Sequence, residues 1–219
     1  MSLPPPIRRI KLCYVTDRKA LSGSREEQTR LLQEKIESAA RAGVDWIQIR
    51  EKDLRGRELV ALVGEAVRRV PRSCRILVND RLDVAILAGA GGVHLGEQSV
   101  PVEDAKRFVR EKNAGQNLLV GMSTHSLESA QTAESGGADY IIFGPVFVTP
   151  SKAAFGPPQG LDRLAKACAG ASIPVIAIGG ITMQNVSDCV RAGVSGIAAI
   201  RLFQDTSDMA GLVQKLRQG

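Results

Sequence analysis

Residues 41–50 read Arg41-Ala42-Gly43-Val44-Asp45-Trp46-Ile47-Gln48-Ile49-Arg50: a glycine, one apolar residue, an aspartate, then a short apolar run. A glycine here suits the left-handed residue that ends a helix, and Trp46-Ile47-Gln48-Ile49 suits a buried strand, so the stretch reads as a helix-to-strand joint. The joint recurs as Ser135-Gly136-Gly137-Ala138-Asp139 and Arg191-Ala192-Gly193-Val194-Ser195, with a looser copy from Leu87 to Gly92. A repeated joint implies a repeated strand-and-helix unit.

Working outward, short β-rich runs fall at Lys11–Thr16, Asp45–Arg50, Arg75–Asn79, Gly92–Leu95, Leu118–Met122, Asp139–Phe143, Pro174–Ile178 and Gly196–Ile200. They are near-continuous apolar runs, which fits parallel strands buried on both faces. Helical signals lie between them. Ser24-x-x-Glu27 has the pattern of a capping box, Leu31, Leu32, Ile36 and Ala39/Ala40 follow at helical spacing, and Gly43 closes the segment. A second frame runs from Thr182, as N-cap, through Val186, Cys189 and Val190 to Gly193. Eight such units in a chain of 219 residues predict an α/β fold, a single compact (β/α)8 TIM barrel over residues 11–219. An open doubly wound sheet is the alternative. Residues 1–10, with Pro4-Pro5-Pro6, read as a disordered or expression-derived tail.

With 44% hydrophobic and 24% charged residues, the composition is that of one soluble globular domain. A net charge of +6 favours an anionic partner without choosing among nucleic acid, membrane surface and phosphorylated metabolite. The run around Val84–Val93, interrupted by Gly89, Gly91 and Gly92, is too short to span a bilayer, so no membrane role is expected. Cys13, Cys74, Cys168 and Cys189 form no C-x-x-C pair, and there are only 2 His, so neither a disulfide framework nor a zinc site is expected; a reduced, cytoplasmic protein is. Arg68, Arg69, Arg72 and Arg75 fit a solvated helix face, since 2 Tyr, 1 Trp and 5 Phe leave little on which bases would stack; no nucleic acid is expected.

In a barrel the chemistry belongs at the C-terminal ends of the strands, with phosphate favouring the loops after strands 7 and 8. Strand 2 ends in Gln48-Ile49-Arg50-Glu51-Lys52, and alternation brings Gln48, Arg50 and Lys52 to one side, a costly set of cations unless an anion meets them or an internal carboxylate pairs with Arg50. Strand 3 ends in Asn79-Asp80, whose carboxylate either pairs with Arg50 or holds a divalent metal. Ser123-Thr124-His125 offers a helix N-cap as well as ligand contacts. The loop from Gly144 to Gly160 carries Thr149, Ser151 and Lys152, groups suited to phosphate oxygens on a lid. Gly179-Gly180 before a helix, and Ile200-Arg201 after the last strand, suit a phosphate cradle, while His94 reads as a structural histidine.

Gln48-x-Arg50-x-Lys52, Asn79-Asp80, Val93-His94-Leu95-Gly96, Ser123-Thr124-His125, Gly144-Pro145-x-Phe147-x-Thr149-x-Ser151-Lys152 and Ile178-Gly179-Gly180-Ile181 occur in this order between about Lys11 and Asp205. Together they resemble the thiamine phosphate synthase family and its thiazole tautomerase relatives. The resemblance implies a transferase of thiamine biosynthesis. It joins a hydroxymethylpyrimidine diphosphate to a thiazole phosphate with Mg2+ and releases pyrophosphate, as a monomer or homodimer. By the same resemblance Gln48, Arg50, Lys52, Asn79, Ser123 and Lys152 hold the pyrimidine diphosphate, and Asp80 holds the metal. Thr149, Ser151, Gly179, Gly180, Ile200 and Arg201 hold the thiazole phosphate. Departures stand beside it: Glu97-Gln98-Ser99 places Ser99, a poor ligand for a hard divalent ion, where the family usually has a second metal-binding Asp, so either Glu97 substitutes, water fills the place or metal-dependent synthesis is lost; Arg201 replaces a usual Ser and either reaches the phosphate or blocks it. The tautomerase branch implies instead an isomerase using His125, and a non-catalytic binder of thiazole phosphate is a third reading.

Overall fold

The computed structural model describes residues 9–112, 118–149 and 157–218. Along them run β1 (Lys11–Val15), α1 (Arg25–Ala42), β2 (Trp46–Ile49), α2 (Gly56–Arg69), β3 (Arg75–Asn79), α3 (Leu82–Leu87), β4 (Gly92–Leu95) and α4 (Val102–Lys112). There follow β5 (Leu119–Thr124), α5 (Leu127–Ser135), β6 (Tyr140–Phe143), α6 (Gly160–Gly170), β7 (Val175–Ile178), α7 (Val186–Arg191), β8 (Gly196–Ala199), α8 (Arg201–Gln204) and α9 (Met209–Gln218). Every strand pairs in parallel with its neighbours in sequence, and β8 returns to β1 in a ladder from Lys11↔Gly196 to Tyr14↔Ala199. The sheet is therefore a closed (β/α)8 barrel, and the open doubly wound alternative is set aside. No described helix is long and apolar enough to cross a membrane. Of the N-terminal tail, residues 1–8 lie outside the described residues.

The recurrent joint has a structural cause. Gly43, Gly89, Gly137 and Gly193 have φ of 98°, 67°, 85° and 95°, a conformation that reverses the chain at a helix end and costs a side-chain-bearing residue energy. The aspartate two residues after Gly43 and Gly137 then locks the next strand in register. Asp45 N–H donates to Leu12 C=O at 3.1 Å and its carboxylate accepts from Leu12 N–H at 2.8 Å. Asp139 does the same to Val120, at 2.8 and 2.7 Å. The third copy keeps only the backbone half, with Ser195 N–H on Val175 C=O.

Side chains alternate between two cores. The outer one packs strands against helices through residues such as Leu12, Ile47, Val93, Ile141 and Ile197. The inner one fills the barrel axis with Cys13, Val15, Trp46, Leu77, Tyr140, Ile142, Ile176 and Ala198. Arg68 and Arg69 pair with Glu65 and Glu37 on the outer surface of α2, but Arg72 follows the end of that helix and Arg75 begins β3, so the four arginines do not share one helix face. The Ser24–Glu27 capping box forms as expected. Thr182 does not cap a helix: Asn185 Oδ1 accepts from Thr182 N–H and its Nδ2 donates to Gly180 C=O, holding residues 182–185 in a turn, so α7 starts only at Val186.

Candidate active site

The period of two that builds the inner core also builds the floor of a cavity above it. Two residues beyond Trp46, Leu77, Ile142, Ile176 and Ala198 come Gln48, Asn79, Gly144, Ile178 and Ile200, and two beyond Gly92 and Gly121 come His94 and Ser123. All of these mouth residues line one cavity of about 770 Å³ at the C-terminal ends of the strands. Val15, Ile142, Ile178 and Ala198 give it an apolar floor, and the polar groups ring it. Gln48 Nε2 donates to Asn79 Oδ1 at 3.1 Å, so two amides present a fixed edge. His94 lies with Nε2 2.9 Å from Ser123 Oγ and Nδ1 3.2 Å from Tyr140 Oη.

Arg50 continues the alternation from Gln48 and lines the cavity, half-buried. Among the described residues no carboxylate pairs with its guanidinium. The internal carboxylate beside it is taken: Glu51, 4% exposed, accepts from Thr16 Oγ1 at 2.6 Å and from Arg18 N–H at 3.1 Å. Burial pushes the Glu51 carboxyl above its ordinary value, against the hydrogen bonds from Thr16 and Arg18. Arg18, 2% exposed, turns its own guanidinium to Asp53 at 2.6 Å and Gln28 at 3.2 Å. Lys52 departs from expectation. The burial of Glu51 ends the strand alternation, Leu54 N–H bonds Glu51 C=O, and Lys52 stands on an exposed turn that does not line the cavity.

At the β3–β4 edge, Asp80 leaves its strand with φ of 66°, a left-handed conformation rare outside glycine and costly unless the site requires it. Its carboxylate is not paired with Arg50 but accepts from Ser99 Oγ, and Ser99 Oγ in turn accepts from Gly96 N–H at 2.8 Å. Glu97 does not join this pair. Its carboxylate accepts from His125 N–H at 3.2 Å and lies 3.1 Å from His125 Nδ1, so in this structure Glu97 meets His125 at the cavity wall and not the Asp80–Ser99 pair. Among the described residues no three His, Cys, Asp or Glu side chains cluster as a closed metal site. Asp80 with Ser99 is a pair of hard oxygen donors, which fits a Mg2+ ion that takes its remaining ligands from phosphate and water, the usual mode for that ion.

On the opposite arc, Gly179 and Gly180 have φ of 97° and 66°. A Cβ on Gly179 would lie 2.5 Å from Pro145 Cβ, and one on Gly180 2.7 Å from Val148 C=O, so both conformation and space demand glycine. The loop after β6 docks on them through Val146 N–H to Ile178 C=O at 2.8 Å and Phe147 N–H to Gly179 C=O at 3.0 Å. Thr149, Gly179, Gly180, Ile200 and Arg201 all line the cavity here; Ser151 and Lys152 lie outside the described residues. Ser123 and Thr124 belong to β5, and neither caps the helix that follows. Ser126 does, its hydroxyl accepting from Ser129 N–H at 3.0 Å.

Sequence reasoning missed Asp17 and Asp205, which also line the cavity, and Gln204, 2% exposed, which secures Asp17: its Oε1 accepts from Tyr14 Oη–H at 2.9 Å and Asp17 N–H at 3.1 Å, and its Nε2 donates to Asp17 C=O at 2.7 Å. The four cysteines are free, and burial holds Cys74 up at about 12.

Comparison with known proteins places these features among relatives. A family model described as thiamine monophosphate synthase matches residues 12–203. A thiamine-phosphate synthase of Methanoculleus marisnigri is 42% identical over 181 residues, 82% of this chain and 83% of that protein. One of Syntrophomonas wolfei is 36% identical over 208 residues, 94% of each. A solved structure, the thiamine phosphate pyrophosphorylase from Pyrococcus furiosus, superposes with a TM-score of 0.81 at 32% identity, covering 97% of this chain and 96% of that one.

Proposed function

The chain belongs to the thiamine monophosphate synthase family, and from that premise we propose that it condenses 4-amino-2-methyl-5-hydroxymethylpyrimidine diphosphate with 4-methyl-5-(2-phosphonooxyethyl)thiazole, giving thiamine phosphate and pyrophosphate. One observation carries the reading: a half-buried guanidinium at Arg50 lines the cavity with no described carboxylate to neutralise it, so the site is built for an anionic ligand.

The reaction breaks the C–O bond between the pyrimidine methylene and the diphosphate, whose electron pair leaves with pyrophosphate, and forms a C–N bond from the thiazole nitrogen lone pair. That nitrogen carries no proton, so no general base is needed. Catalysis then consists of stabilising departing negative charge and aligning two substrates. Arg50, the Gln48–Asn79 amide edge and Ser123 are assigned to the diphosphate. Lys52 and Lys152 are assigned to the same anion by the resemblance alone. The Gly179-Gly180 turn, Thr149, Ile200 and Arg201 are assigned to the thiazole phosphate on the far arc, with Ser151 again by resemblance. Asp80 and Ser99 would hold Mg2+, which when bound neutralises part of the diphosphate charge. A cavity of about 770 Å³ is ample for both substrates. The relatives are named as synthases, which favours this transferase reading over isomerisation of a thiazole through His125.

The test is formation of thiamine phosphate from the two purified substrates, in Mg2+ and in EDTA. Product that depends on the metal is expected, and Arg50→Ala should lower kcat/KM by about 10²-fold, the scale of losing one charge-stabilising donor. Binding of both substrates without product would leave a non-catalytic binder.

A further inference from the structure

Tyr140, His94 and Ser123 form a chain from the barrel axis to the cavity wall, and its hydrogen-bond directions follow from what each group has available. Tyr140 is 1% exposed, and among the described residues the only acceptor for its hydroxyl is His94 Nδ1, at 3.2 Å. A buried hydroxyl that does not donate forfeits a hydrogen bond, so the Tyr140 proton points at Nδ1. Nδ1 is then the acceptor nitrogen, and the imidazole carries its single proton on Nε2. Nε2–H donates to Ser123 Oγ at 2.9 Å. Ser123 Oγ has thereby accepted, its own proton has no described protein acceptor, and it lines the cavity. Burial also keeps Tyr140 protonated, and hence a donor, to well above its ordinary value.

The fold makes deliberate room for this chain. His94 and Tyr140 lie on β4 and β6, each in register with Gly121 of β5 between them. A Cβ at position 121 would sit 2.0 Å from Tyr140 Cζ, so only a bare backbone lets the two rings approach, with centroids 5.6 Å apart and planes inclined by 24°.

We infer that His94, held in its Nε2–H form by Tyr140, is a positioning residue that turns the Ser123 hydroxyl proton toward a phosphate oxygen of the ligand in the cavity. This rests on the reading above that Ser123 meets the diphosphate.

Two measurements test it. In 15N-labelled protein, long-range 1H–15N correlations report the tautomer of each imidazole, with His125→Ala assigning the two. His94 is expected as Nε2–H in the unaltered protein and as a mixture in Tyr140→Phe. Calorimetric titration with inorganic pyrophosphate in Mg2+ buffer then reads the cavity end. Tyr140→Phe and Ser123→Ala should each weaken binding about tenfold, and the double variant no more than either alone, as for members of one network. A Nδ1–H tautomer, additive losses in the double variant, or a Tyr140→Phe protein that binds as well as the parent would each overturn the inference. If the parent itself holds no pyrophosphate, the diphosphate reading falls and takes this inference with it. That outcome is distinct from failure of the chain alone, in which the parent binds and Tyr140→Phe is indifferent.

Discussion

The Ser99 hydroxyl donates to the Asp80 carboxylate, tying the loop after β4 to the left-handed residue that ends β3. The pair brings two oxygen donors together with only one carboxylate between them.

Ser99→Asp restores a second carboxylate. In EDTA the two like charges should lower Tm by a few degrees, on the order of 1 kcal/mol for a chain this size, and Mg2+ should reverse the loss. In the synthase assay the Mg2+ concentration for half-maximal rate should fall about tenfold, a coupling of about 1.4 kcal/mol. A thermal melt unchanged by metal in the variant would show that Asp80 and Ser99 do not form the metal edge.

Arg201 stands at the start of α8 and lines the cavity, with no described partner for its guanidinium. Arg201→Ser should raise KM for the thiazole phosphate about tenfold and leave KM for the pyrimidine diphosphate within twofold, given the worth of an exposed charge-assisted contact. A lower KM in the variant would mean that the arginine obstructs the site.

Gly180→Ala places a methyl group 2.7 Å from Val148 C=O at a residue with φ of 66°. Strain there should cost about 1–3 kcal/mol, read as an earlier urea midpoint, and should loosen the β6 loop. Affinity for the thiazole phosphate should drop while that for pyrophosphate is kept, because the Gln48–Asn79 edge lies on the other arc.

Burial raises the Glu51 carboxyl in the folded state, so between its ordinary and its raised value the folded chain holds a proton that the unfolded chain releases. Stability from this group is complete below the ordinary carboxylate value and is lost as pH climbs through the raised one. Glu51→Gln keeps an acceptor for Arg18 N–H and removes the titration. The Tm of the variant minus that of the parent should therefore rise as pH climbs above the ordinary carboxylate value, about 4.3, where the unfolded carboxylate ionises, and level off once the raised folded value is passed. A difference that falls over that range would show that the charged form is the favoured one.

The eight strands were readable because each is a dense apolar run, and their joints because a glycine with positive φ and a register-setting aspartate leave the same short pattern at Gly43-Val44-Asp45 and Gly137-Ala138-Asp139. Alternation correctly carried Gln48 and Arg50 into one cavity. It failed at Lys52 because the strand ends where Glu51 is drawn inward by Thr16 and Arg18, residues far off in sequence. The same distance hid Gln204, whose partners Tyr14 and Asp17 lie at the other end of the chain. Ser126 was overlooked as the cap of α5 because Ser123 and Thr124 offer the same chemistry, and only the strand length decides among them. Gly121, a glycine in mid-strand, was the available sign that Tyr140 and His94 approach closely.

Closure of the barrel joins segments that a ribosome makes at opposite ends of synthesis: Tyr14 meets Gln204, Ile10 C=O accepts from Arg217, and one whole edge of β1 waits for β8. Until β8 emerges, the nascent chain carries an open parallel sheet with two unpaired edges and the inward faces of Cys13 and Val15 uncovered. Contacts of such long range also form slowly. The interval between making β1 and making β8 is thus when this chain is most exposed to pairing with its neighbours on a polysome, and when a holdase in the cell has most to act on.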